Sequence, residues 1–98
     1  MPAYMIAFTK VHDEAVYREY VKATGPLMEH YGVKFLNDGR RFEVLEGMMD
    51  ATRAYVFEFP SMELLRQFYD SPEYKACVAI RKPATDVTIV ITEGLEED

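Results

Sequence analysis

At 98 residues, 49% of them hydrophobic and 29% charged, the chain has the size and composition of one globular domain with a single core. Its net charge of −6 repels phosphate backbones and anionic bilayers, which argues against nucleic acid and membrane as partners. Cys77 is the only cysteine, so an intrachain disulfide and a cysteine-built metal site are both excluded.

The opening MPAYMIAFTK lacks the basic start and the apolar core of a signal peptide. No run approaches the ~18 apolar residues that span a bilayer. With a lone free thiol, these features predict a cytoplasmic location. Ala3 to Lys10 alternates as a strand, with Tyr4, Ile6 and Phe8 on one face and Met5, Ala7 and Thr9 on the other. Asp13 is placed to cap a helix in which Tyr17, Tyr20, Val21 and Thr24 share one side. Gly25-Pro26 predicts a break there, with a second helical piece ending at Gly32.

Val33 to Asp38 and Phe42 to Glu46 read as two short strands or one bent edge strand, turning at Asp38-Gly39. Arg53 to Phe59 is an aromatic strand. Ser61 caps a helix whose buried stripe is Leu64, Leu65, Phe68 and Tyr69. Ser71-Pro72 then starts another turn carrying Tyr74, Cys77, Val78 and Arg81, which Pro83 ends. Val87 to Thr92 is the last strand. The order β-α-β-β-α-β predicts an α+β, ferredoxin-like plait over residues 1–94, followed by an acidic tail at 95–98.

Helices on a plait cover one side of the sheet, yet both sides of these strands are substantially apolar. A monomer would leave a large apolar face in water, so the expected partner is a second copy of the chain, docked sheet to sheet.

Several short motifs carry a family likeness: Met1-Pro2-Ala3-Tyr4, Tyr17-Arg18-Glu19-Tyr20, His30-Tyr31-Gly32, Glu43-Val44-Leu45-Glu46-Gly47, Glu58-Phe59-Pro60-Ser61 and, most specific, Phe68-Tyr69-Asp70-Ser71-Pro72-Glu73-Tyr74. Over nearly its full length the chain resembles an uncharacterised bacterial family, domain of unknown function 1330, of the dimeric α/β-barrel superfamily. The resemblance implies the plait, a face-to-face homodimer and a cleft between helices and sheet. It implies no established reaction. Members commonly carry Gly-Gly after the first helix and an aromatic after Glu-Gly, where Val33 and Met48-Met49 stand here.

Candidate chemistry is sparse. Tyr17, Tyr20, Tyr69 and Tyr74 are candidates to line a pocket and offer phenol hydrogen bonds, or else to fill the core with their hydroxyls at its rim. Glu58, between Phe57 and Phe59, is the candidate general base if a dimer buries it, or else an ion-pair partner of Arg53 or Arg81. His30 is a ligand candidate or a surface histidine complementing a helix end. Arg40-Arg41 at the strand bend and Arg81-Lys82 near the second helix end are the basic clusters, placed to hold a carboxylate at a cleft mouth or else to lie solvated and complement helix dipoles. Two histidines eighteen positions apart make no metal site, and neither a metal nor another cofactor is expected. Pro2 echoes the N-terminal proline of tautomerases, whose topology differs. The strand Arg53 to Phe59 echoes RNA-binding plaits but lacks their glycine and positive charge. The functional expectation is a cofactor-independent enzyme acting on a small organic molecule; the alternative is a non-catalytic small-ligand binder or structural dimer.

Overall fold

The computed structural model describes residues 1–95, so only Leu95 of the expected acidic tail is included. The elements are β1 (Ala3–Val11), α1 (Glu14–His30), β2 (Lys34–Phe35), β3 (Arg53–Phe59), α2 (Met62–Asp70), α3 (Pro72–Arg81), a 3₁₀ turn (Lys82–Ala84) and β4 (Thr85–Glu93). They form one sheet in the order β2-β3-β1-β4, with all pairings antiparallel. This is the α+β ferredoxin-like plait.

Register decides which side chains meet the helices. Ala3, Met5, Ala7 and Thr9 of the central strand point to the helix side and are buried. Phe57 lies opposite Met5 and Phe59 opposite Ala3, so the same parity carries β3's large aromatics into the core. Phe68 of α2 is fully buried, with the rings of Tyr31, Phe59 and Tyr74 at 5.6, 5.4 and 4.5 Å. Those four rings join both crossovers to the sheet.

Among the described residues no helix or strand covers the opposite face of the sheet, and the 42–49 segment borders it at Phe8 and Ala54. Val56, Ile6 and Val90 form one cross-strand row; Ala54, Phe8 and Thr88 form the next. The fold is 18 Å across its thinnest dimension, the thickness of one helix layer on one sheet. Val90 is exposed, and Ile6, Phe8 and Val56 are only half-buried.

Two local expectations are corrected. Gly25-Pro26 does not break α1, which runs on to His30 with Pro26 inside it. Tyr17, Tyr20, Thr24 and Met28 keep one buried stripe across that point, and packing of the stripe outweighs the lost amide. Pro26 and Lys22 both lie on the exposed side, where water can satisfy the carbonyl that Pro26 leaves without a donor. The second correction concerns the edge. Only Lys34–Phe35 forms a strand, and Phe42 to Glu46 forms none. Beyond Phe35 the Asn37 side chain replaces the ladder, donating to the Ala54 carbonyl (2.7 Å) and accepting from the Val56 amide (3.0 Å). Gly39 follows with φ +82°, at a point where a Cβ would collide with the Tyr55 ring.

The expected caps are present. The carboxylate of Asp13 accepts from Val16 N–H, and the hydroxyl of Ser61 accepts from Leu64 N–H. Ser71 serves both flanking helices: its Oγ accepts from Tyr74 N–H (3.1 Å) and donates to the Phe68 carbonyl (2.7 Å). Pro72, at the first position of α3, needs no amide partner. Ser71→Ala should lower stability by about 1–2 kcal/mol in denaturant unfolding, while Ser71→Asp should recover part of that loss. An Ala variant as stable as the parent would contradict this role.

Candidate functional site

The helix-side face of β1 explains where a cavity forms. Ala7 and Thr9 are small and sit in the middle of the sheet, whereas the facing stripe of α1 carries Tyr17 and Tyr20. Ring against small residue leaves space. The result is a cleft of about 130 Å³ between α1, the sheet and α3. Its floor is Met5, Ala7, Thr9, Phe57 and Ile89; Tyr17, Tyr20 and Met28 form its roof. Val21, Gly25 and Phe35 line it and are exposed, so the mouth opens between α1 and the β2 edge. The volume is close to the ~150 Å³ of an engineered apolar cavity that accepts benzene.

At the inner end Tyr20 and Tyr74 share a hydroxyl hydrogen bond of 2.9 Å that ties α1 to α3. Burial pushes the Tyr20 phenol far above its ordinary value, with the Tyr74 hydroxyl adding to the shift and Arg81 opposing it. Tyr17 is raised in the same way, chiefly by burial and then by its hydrogen bond with Tyr55. Both therefore stay neutral donors.

Among the described residues Arg81 is the one full charge in the lining. It is the last residue of α3, and its carbonyl accepts from the Thr85 hydroxyl (3.0 Å). Helical spacing puts it on the face of Tyr74 and Cys77, so its side chain runs inward. It is 7% exposed, its guanidinium carbon is 5.5 Å from the Tyr20 ring centre, and its Nε has no hydrogen-bond partner. Arg53 makes the contrast. Opposite Thr9 on the same side of the sheet, it pairs with both Glu14 oxygens at 2.9 and 3.0 Å.

The structure brings together Tyr17, Tyr20, Tyr74 and Arg81 among the residues singled out from sequence. Three others lie elsewhere. Glu58 is on the uncovered face, accepting from the Tyr4 hydroxyl (3.2 Å) and lying 3.7 Å from Lys34 rather than pairing with Arg53 or Arg81. His30 is exposed at the end of α1, edge-on to Tyr31. Tyr69 lines a separate depression with Leu65, Ile89 and Ile91, under the Lys75 ammonium. Cys77 is buried core, and burial pushes its thiol up, away from reactivity. Sequence reading missed Thr9, Met28, Tyr55 and Phe57 as lining. The strand parity of Thr9, Tyr55 and Phe57 was readable, but the face that the helices would cover was not; Met28 lies beyond the break expected at Gly25-Pro26, which α1 does not make.

A family model described as a domain of unknown function, DUF1330, matches residues 2–95. The chain belongs to that family. No curated protein sequence matches it. Among solved structures it is similar to RPA0582, a protein of unknown function from Rhodopseudomonas palustris, at 21% identity and TM-score 0.80, covering 98% of this chain and 84% of that one. A dimeric ferredoxin-like protein of unknown function from Thermobifida fusca aligns at 18% identity and TM-score 0.63, covering 94% and 90%. SnoaB, a cofactor-independent oxygenase from Streptomyces nogalater, aligns at 11% identity and TM-score 0.63, covering 98% and 95%. At these identities the likeness establishes the fold alone. Among the described residues, no group of three or more His, Cys, Asp or Glu is placed to hold a metal ion, and no helix is long and apolar enough to cross a membrane.

The raised phenols give a checkable sign. Tyr17 and Tyr20 hold their protons in the folded state above the ordinary value of 10.0, so the stabilisation linked to them is complete below that pH and declines above it. In an alkaline absorbance titration, at least two of the seven tyrosines should ionise only as the protein unfolds. Seven phenols titrating together near 10.0 in the folded protein would contradict the buried placement.

Proposed function

We propose that the protein is a cytoplasmic homodimer that binds a small, largely apolar organic molecule in the helix–sheet cleft of each subunit. The observation that carries this reading is the composition of the cleft. It is apolar, open at one edge, the size of about one aromatic ring, and furnished with convergent polar groups in Tyr17, Tyr20, Thr9 and Arg81. Among the described residues neither a carboxylate nor a histidine lines it, so binding is better supported than acid–base catalysis by those side chains. A second reading, an enzyme working without a cofactor, draws on the fold shared with SnoaB. In that case the cleft would orient a substrate that is reactive by itself, with neutral phenols and Arg81 stabilising charge as it develops.

The dimer is proposed through the uncovered sheet face. The Val56–Ile6–Val90 row is its centre, and Phe8, Ala54 and the 42–49 segment extend the same apolar surface to one side. Solved structures that align with the chain are described as dimeric. Two sheets packed face to face would bury both copies of that row.

Two experiments test these statements. Sedimentation at micromolar concentration should give twice the chain mass for the parent protein, and Val56→Asp should give a monomer; a parent sedimenting as a monomer would contradict the interface. For the cleft, a thermal-shift screen of single-ring aromatic compounds should raise the melting temperature of the parent by mass action. Ala7→Leu fills the cavity from its floor and should remove those shifts while the protein stays folded. Equal shifts in both proteins would place binding outside the cleft.

A further inference from the structure

Two arginines are withdrawn from the surface, Arg53 and Arg81. Arg53 has Glu14. Glu58, which sequence spacing offered as a partner for Arg81, is on the other face beside Tyr4 and Lys34. No ion pair among the described residues involves Arg81. Guanidinium groups stay charged in proteins, and a buried charge is costly unless something pairs with it. The tyrosine rings meet part of that need. The Tyr20 face lies near the guanidinium, but the Tyr20 and Tyr74 hydroxyls are engaged with each other. What is left is a buried cation, with an Nε donor lacking a partner, at the wall of an apolar cavity open to solvent.

Resting on the reading of the cleft as a ligand site, we infer that its ligand is an organic carboxylate with Arg81 as the anion-binding residue. The geometry divides the ligand in two. An apolar body fits over Ala7 and Phe57, under the Tyr17 and Tyr20 rings, while the carboxylate reaches the guanidinium at the α3 end. A guanidinium offers a planar fork of donors, which matches a carboxylate better than it matches a hydroxyl or an amide. The neutral phenols add donors without adding a competing negative charge. The site thus attracts an anion within a chain whose net charge is −6, so the preference is local to the cleft and is no consequence of the overall field.

The test is calorimetric titration of the full-length protein with benzoate and with benzyl alcohol, a neutral molecule of similar size. The parent should bind benzoate at least about tenfold more tightly than benzyl alcohol, the difference expected between a charged and a neutral hydrogen-bond acceptor. Arg81→Gln should abolish the preference by weakening benzoate binding at least about tenfold, to the level of benzyl alcohol; Arg81→Lys should keep part of it. Equal affinities in the parent would overturn the anion inference while leaving the cleft as a site for neutral ligands, and this comparison needs no variant to fold. A benzoate preference that survives in Arg81→Gln would overturn the role of Arg81. Binding of neither compound would overturn the ligand cleft and the inference together.

Discussion

The Tyr20–Tyr74 hydroxyl bond is the link on which the arrangement of this molecule turns. It is buried, it joins a helix of the first half to a helix of the second, and it fixes how closely α1 and α3 approach over the sheet. Tyr74 in turn packs on Phe68, which holds α2 and the sheet, so the aromatic core and the cleft share one wall. Hydroxyls that satisfy each other allow large amphipathic rings to be buried without an unpaired polar group. They also keep the α1 stripe lifted above Ala7 and Thr9. The cavity is what that spacing leaves, and Arg81, one turn beyond Cys77 on the same helix face, closes its inner end.

The other constraint is the two-residue period of the strands. β1 places Ala, Met, Ala and Thr under the helices and Tyr, Ile and Phe on the outside. The larger apolar set is therefore on the face without a cover, opposite to the pattern of a one-layer sheet meeting water. This distribution gives the two faces different roles. Small residues inward make room for a ligand; large residues outward ask for a second sheet. Glu58 belongs to the outward set, so its bond with Tyr4 concerns the proposed interface rather than the cleft.

Much of the fold was legible because its signals are local. Asp13, Ser61 and Ser71-Pro72 mark helix starts by side chains that accept from amides three residues on, a geometry fixed by spacing alone. The family likeness around Phe68 to Tyr74 rests on the same segment. Where the reading failed, a tertiary contact outweighed a local preference. Pro26 is tolerated because Met28 completes a stripe begun at Tyr17, and the edge strand dissolves because the Asn37 side chain takes the place of backbone. The site was half legible. Helical spacing collects Tyr17 with Tyr20 and Tyr74 with Arg81, but it cannot tell whether an arginine at a helix end turns outward to water or inward beneath a neighbouring helix. It turns inward here, and only the approach of α1 to α3 decides that.

The central claim is that Arg81 is an unpaired buried cation awaiting a carboxylate in the cleft. A crystal structure of the protein grown with benzoate tests it most directly. The account predicts the ring between Ala7 and the Tyr17–Tyr20 pair, with a carboxylate oxygen about 2.7–2.9 Å from the Arg81 guanidinium. An empty cleft, with Arg81 instead paired to a carboxylate of the partner subunit, would contradict it.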